Sequence, residues 1–322
     1  MSINNFHIAF CVNEEYADFV RVPIKSIIEN HRETEAYINI HILTDKISRR
    51  KKHNLYNLVK DIDNTSIEII KIDDIRLKGL KINSWPIHTW YRILLPDILP
   101  NDIKIVLYLD VDTLVTSNLL DLFKTNMESL SIAASLDVQN FTEDVFTRLC
   151  YEKEKNYICA GVMLMNLDFW RDHLITNRII SWAKLNCTKL LCPDQDAINY
   201  ICKDSKLILP LRYGFIDSFV RKESLYTGTF IQQLKDCILN PCIIHYNVGC
   251  IPWFKEYNRH IMHDEWLRYN RMLKSPVRRR YHAKGLLKIK LIIWNFFHPH
   301  EKKPGITKEE ILNKIKDLSP KI

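Results

Sequence analysis

The chain has 322 residues, 47% hydrophobic and 26% charged, and a net charge of +8, a composition that fits a globular protein with a sizeable core and excludes a disordered or fibrous one. Nine Lys/Arg and a single acid, Glu301, fall between Lys274 and Lys303, so the basic excess sits in one C-terminal segment and the rest is balanced. That placement excludes a nucleic-acid groove spread over the main body, and no nucleic acid is expected as a partner.

Phe6 to Val12 is a short β-branched and aromatic run that predicts a first strand. After a loop at Asn13 to Tyr16, Phe19, Val22, Ile24, Ile27 and Ile28 supply the stripe of a helix. A strand at Ile38 to Leu43, a helix from Ser48 to Val59 and a strand near Ile67 to Ile70 follow. This alternation predicts a parallel, doubly wound sheet, whose ligands bind at the carboxyl ends of strands.

His88-Thr89-Trp90-Tyr91-Arg92 precedes a helix-like run to Leu99, and Arg92 is a candidate donor to phosphate or sugar hydroxyls, or else an ordinary ion-pair residue. The run Ile103 to Val115, IKIVLYLDVDTLV, ends in two carboxylates one residue apart, Asp110 and Asp112. In a strand, side chains at i and i+2 share a face about 7 Å apart, so both acids can address one cation; the alternative is a plain strand running into a turn. Only seven Gly occur, none in a phosphate-binding arrangement. A nucleotide diphosphate at this edge would therefore need a divalent metal held by Asp110 and Asp112.

Ile132 to Leu136 predicts a strand ending at Asp137, and Cys159 to Asn166 a buried run with small residues where a ligand or backbone can approach. Pro193-Asp194-Gln195-Asp196 opens a helix, its acids being either caps or ligand contacts. Pro241 to His245 is a short strand ending in a histidine that is either structural or the third member of an Asp/Asp/His set.

These pieces in this order resemble glycosyltransferase family 8, the retaining GT-A enzymes that include bacterial lipopolysaccharide galactosyl- and glucosyltransferases. The resemblance runs from about Phe6 to Trp253 and is carried by Y-L-D-x-D at Tyr108 to Asp112, AGVMLMNLDFWR at Ala160 to Arg171, D-Q-D at Asp194 to Asp196, and His245-Tyr246 followed by Pro252-Trp253. It implies a GT-A fold, a Rossmann-like α/β architecture whose mixed, mainly parallel sheet is flanked by helices, with a basic, partly helical C-terminal extension. Implied too are Mn²⁺, or Mg²⁺ in its place, on Asp110, Asp112 and His245, and UDP-galactose or UDP-glucose as donor. The donor would meet Ala9, Asn13, Tyr16, Arg92, Asp110, Val111, Asp112, Cys159, Ala160 and Gly249, with Tyr16 stacked on uracil. Asp194, Gln195 and Asp110 would serve catalysis, and Asp137 and Asp194 the acceptor. The last motif departs from the family pattern, with Val248 and Ile251 where Gly and Lys are usual, which removes a positive charge from the diphosphate.

The expected function is therefore Mn²⁺-dependent, retaining transfer of a hexose to a lipopolysaccharide or lipooligosaccharide core, or another glycan or glycolipid acceptor. A glycogenin-like or protein-directed glucosyltransferase and a UDP-sugar-binding protein with little catalysis remain open. Residues 1–257 are expected to form the glycosyltransferase domain and 258–322 a basic membrane-associating segment. Within the latter, Leu286 to Phe297 is twelve residues long and interrupted by Lys288 and Lys290. It is too short and charged to span a bilayer but suits an anionic membrane surface, met by residues 274–303. Nine scattered Cys without C-x-x-C spacing read as reduced thiols, and the N-terminus MSINNFHIAFCV shows neither signal peptide nor anchor. The expected location is cytoplasmic, peripheral on the inner face of the membrane.

Overall fold

The computed structural model describes residues 5–83, 85–221, 228–247, 250–255, 260–283, 285 and 307–318. Strands β1 (Asn5–Cys11), β2 (Tyr37–Thr44), β3 (Thr65–Lys71) and β4 (Ile105–Leu109) form one parallel half of a seven-stranded sheet. A three-residue strand β5 (Thr113–Val115) then leaves for a second sheet. β6 (Ile132–Ala134), β7 (Val162–Asn166) and β8 (Lys206–Ile208) complete the first, in the order β3-β2-β1-β4-β7-β6-β8. β7 runs antiparallel to both β4 and β6, so the sheet is mixed and mainly parallel. β9 (Phe215–Ile216) and β10 (Ile243–His245) join β5 in the order β5-β10-β9.

Both faces of the large sheet are covered, which explains why its strands read as continuous apolar runs. Phe6, Ile8 and Phe10 of β1 enter one core with Leu107 and Leu109 of β4. Ala9 and Cys11 enter the opposite core with Val106 and Tyr108, following the two-residue period of a strand. Because β1 has β2 on one side and β4 on the other, the chain order reverses between β1 and β4. A crevice opens there at the strands' carboxyl ends.

Three expected elements differ. The first helix begins only at Arg21, because Asn13 Oδ1 accepts the Tyr16 N–H at 2.9 Å and turns the chain before it can wind. The run before Leu99 is a 3-10 stretch, Ile87–Leu94, followed by one α turn, Leu95–Ile98. Pro96 has no N–H to offer the Arg92 carbonyl, which is satisfied instead by Leu95, one residue tighter. The run Ile103 to Val115 is not one strand but two, broken at Asp110-Val111-Asp112.

A third core lies around the small sheet and draws Met262, Trp266, Tyr269, Leu273, Val277 and Ile311 in beside Leu114, Phe215, Ile244 and Trp253. The boundary expected at 257/258 falls inside this core. Trp266 is fully buried, and removing its side chain from water stabilises the arrangement by roughly 3 kcal/mol. Leu286 to Phe297, the expected membrane-facing run, lies outside the described residues.

Candidate active site

The two acids of the D-x-D motif are brought together by a turn rather than by the pleat of a strand. After β4 the Asp110 carbonyl accepts both the Thr113 N–H (3.1 Å) and the Thr113 hydroxyl (2.8 Å). The chain then enters β5, which pairs antiparallel with β10 so that His245 lies opposite Thr113. One further bond, Tyr246 N–H to the Asp112 carbonyl at 2.8 Å, closes the ladder at the site. His245 Nε2 is thereby placed 3.3 Å from Asp112 Oδ1 and 3.8 Å from Asp110 Oδ2. One ligand atom from each of the three residues lies within 4.8 Å of the others.

Gly161 makes this approach possible. Its carbonyl accepts the Asp110 N–H at 2.8 Å, and a Cβ there would fall 2.2 Å from His245 Cε1 and 2.7 Å from Asp110 Oδ2. Two carboxylates and an imidazole are a donor set suited to Mn²⁺ or Mg²⁺ more than to soft metals. The other imidazole nitrogen, Nδ1, is 3.4 Å from the buried Cys159 Sγ, which fixes the ring as a partner behind a metal-binding histidine does. Burial works against the charged form of His245, yet Cys159 and Asp112 outweigh it and hold its pKa well above the ordinary value. Burial keeps the Cys159 thiol protonated, so we take Asp112 as the main cause.

Arg92 organises the opposite side. Only 3% exposed, it donates to Asp110 Oδ1 (3.0 Å), the Ala160 carbonyl (2.5 Å) and the Thr89 carbonyl (2.8 Å), and its Nε lies 3.2 Å from Asp194 Oδ2. Tyr108 donates its hydroxyl to the same Asp110 oxygen at 2.6 Å, leaving Oδ2 to face His245. Burial opposes the Arg92 charge, and Asp110 leads the groups that sustain it. Burial also pushes the Asp194 carboxyl up, against the pull of Arg92.

These groups share one cleft of about 360 Å³, within the range of small-molecule sites. Asn13, Tyr16, Arg92, Asp110, Val111 and Asp112 line it. Asp137, Cys159, Asp194, Gln195 and His245 line it as well. The Gln195 amide is held at both ends: Oε1 accepts the Ala160 N–H at 2.9 Å, and Nε2 reaches the Tyr157 hydroxyl at 3.3 Å and Asp137 Oδ2 at 3.4 Å. Burial raises the Asp137 carboxyl, which also caps the next turn by accepting the Gln139 N–H at 2.8 Å. Asp196 is structural: fully buried, it accepts from Leu191 N, Cys192 N, Tyr157 and Arg148.

Two expected residues do not line the cleft. Ala9 is buried in β1 opposite His41 and Tyr108, and Ala160 contributes only backbone atoms already bonded to Arg92 and Gln195. Gly249 lies outside the described residues. Trp85, His88, Cys192 and Trp253 also line the cleft, though the sequence gives none of them a site role. His88 Nε2 meets Asp45 Oδ1 at 2.8 Å while its Nδ1 is buried without a partner among the described residues. The aromatic and proline residues at Trp85-Pro86 in a stretch without periodicity were the available signal.

The family model described as "Glycosyl transferase family 8" matches residues 7–256. A lipopolysaccharide 1,2-glucosyltransferase of Escherichia coli is 28% identical over 256 residues, covering 77% of this chain and 73% of the relative. A putative glycosyltransferase of Haemophilus influenzae is 26% identical over 252 residues, 76% of this chain and 71% of its own. Among solved structures, the galactosyltransferase LgtC in complex with donor and acceptor sugar analogs superposes with a TM-score of 0.73 at 22% identity, over 84% of this chain and 97% of that one, and shows the same fold. With the family's motifs gathered around a single cleft and its model matched across nearly the whole sheet-bearing body, the chain belongs to glycosyltransferase family 8 and is a hexosyltransferase.

Proposed function

We propose that the enzyme transfers galactose or glucose, with retention, from UDP-galactose or UDP-glucose to a lipopolysaccharide or lipooligosaccharide core at the cytoplasmic face of the membrane. The observation that carries this reading is the meeting of Asp110, Asp112 and His245 in the cleft that also holds the Asn13–Tyr16 loop. Those three side chains would hold Mn²⁺, or Mg²⁺. Bound there, a divalent ion supplies Lewis-acid stabilisation of the charge that builds on the departing diphosphate.

The chain's own groups do the rest. The Tyr16 ring, edge-on to Trp253 at 5.8 Å, offers a face for uracil. Arg92 keeps Asp110 oriented and places positive charge between it and Asp194. Gln195 is an amide tied at both ends, and Asp194 is engaged by Arg92, so neither is presented as a free nucleophile. This favours same-face attack, in which the acceptor hydroxyl proton passes to the departing phosphate oxygen. Asp137 and Asp194 would orient that acceptor.

With 1–257 as catalytic unit and 258–322 as basic segment, the stretch 274–303 would meet an anionic membrane, while Met262, Trp266, Tyr269 and Ile311 pack on the catalytic unit. A second reading, UDP-sugar binding with little turnover, is favoured by Ile251, an apolar side chain lining the cleft where the resemblance expects Lys. Hydrolysis of a UDP-sugar panel with and without Mn²⁺ separates the two. We expect one UDP-hexose to be hydrolysed only with metal, and Asp112→Asn to abolish this with the fold intact by circular dichroism. Equal turnover in excess chelator would sink the metal assignment, and UDP binding without turnover would establish the second reading.

A further inference from the structure

The segment that leads into the basic stretch runs against the loop after β1. Leu273 and Val277 are buried in the third core with Trp253, and Arg21 Nη1 donates to the Ser275 carbonyl at 3.1 Å. Arg280 then pairs with the chain beside Trp253. Its N–H donates to the Trp253 carbonyl and its own carbonyl accepts from Lys255, both at 2.9 Å. Arg279 fastens the same strap by donating to the carbonyls of Pro252 (2.8 Å) and Phe254 (2.7 Å).

The Arg280 side chain crosses to the other wall. Its Nη2 lies 2.7 Å from Glu15 Oε1. Its guanidinium carbon sits 5.8 Å from the Tyr16 ring centre, 5.1 Å from that of Phe19 and 5.2 Å from that of Phe254. A planar, permanently charged fork can serve three rings and a carboxylate together, whereas an ammonium is a single point. Tyr16, in the loop that follows β1, and Trp253 both line the cleft that holds the Asp/Asp/His cluster.

We propose that Arg280 is a positioning residue for the nucleotide: it clamps the Glu15–Tyr16 corner against Trp253, so that a strap from the C-terminal segment is part of the donor site. The proposal rests on the reading that the Tyr16 loop receives UDP. It also gives the segment a role inside the enzyme that is separate from membrane contact.

Calorimetric titration of the full-length protein with UDP and Mn²⁺, together with donor kinetics, tests it. Arg280→Ala should weaken UDP binding and raise the donor KM about tenfold, with kcat within twofold and the same thermal midpoint. Arg280→Lys should recover part of the loss by keeping the ion pair. Glu15→Gln, which keeps the stacked guanidinium, should weaken UDP binding two- to threefold and stands as the measurement if Arg280→Ala fails to fold. Wild-type affinity in Arg280→Ala, or in Glu15→Gln where only that variant folds, would overturn the proposal, as would a fall in kcat and thermal midpoint with KM unchanged. A wild-type protein that does not bind UDP would overturn the donor reading itself and this inference with it.

Discussion

Gly161 is constrained by space and not by backbone conformation, since its φ is not in the left-handed region. The contacts its Cβ would make, 2.2 Å to His245 Cε1 and 2.7 Å to Asp110 Oδ2, are with two groups each held from behind. His245 is backed by Cys159, and Asp110 by Arg92 and Tyr108. Relief to ordinary van der Waals distance requires a movement of about 1 Å, and metal coordination tolerates only about 0.2 Å. Overpacking of this kind costs about 1–3 kcal/mol. We therefore expect Gly161→Ala to remain folded but to bind Mn²⁺ at least tenfold more weakly, read by electron paramagnetic resonance of the free ion. Unaltered Mn²⁺ affinity would show that Asp110 and His245 do not hold the metal together.

At the scale of elements, legibility follows length and periodicity. β1, β2 and β3 are seven or eight residues long and rich in β-branched or aromatic residues, and the sequence predicts them to within two residues at each end. The second sheet is not legible in the sequence as a sheet, because its strands have only two or three residues and β5 pairs with β10 across more than a hundred positions. From sequence, His245 is either a structural strand-end histidine or a third ligand; the β5–β10 register is what brings it to Asp112. The same small sheet carries a pH dependence. His260 packs against Tyr246 and Phe215, accepts the Met262 N–H on Nδ1 and leaves Nε2 buried without a partner among the described residues. Burial lowers its pKa to about 4; Asp217 opposes this, while His263, Arg221 and His245 reinforce it. Because the folded value lies below the unfolded one, the unfolded chain takes the proton first as pH falls. Stability present above about pH 6.5 is then lost progressively down to about pH 4, by roughly 3 kcal/mol. His7, also lowered to about 4, acts in the same window. The share of His260 is thus a difference: denaturant unfolding at pH 7 and pH 5 should show a smaller loss in His260→Gln than in the wild type. An equal loss would place the titration elsewhere.

For the whole molecule, the distribution of charge decides how a membrane can be met. Of the cations between Lys274 and Lys303, Arg279 and Arg280 are turned inward onto Pro252, Phe254 and Glu15. Lys274 forms an exposed pair with Asp61. Among the described residues no helix is long and apolar enough to cross a membrane. Chain on both sides of 286–306 is docked on the enzyme, by residues 260–283 before it and by Ile311 of the helix Lys308–Leu318 after it. Truncation is therefore a poor test of membrane binding, because it also removes Arg280 or exposes the core around Ile311. Neutralisation of Lys284, Lys288 and Lys290 leaves both anchors in place. Each cation near an anionic surface contributes about 1 kcal/mol, so replacing all three with Gln should lower binding to phosphatidylglycerol vesicles roughly a hundredfold. Affinity for UDP should not change, since Arg280 and its partners are untouched. Undiminished binding to those vesicles would remove the basic stretch from any membrane role and leave the strap's contact with the donor loop as the segment's one proposed contribution.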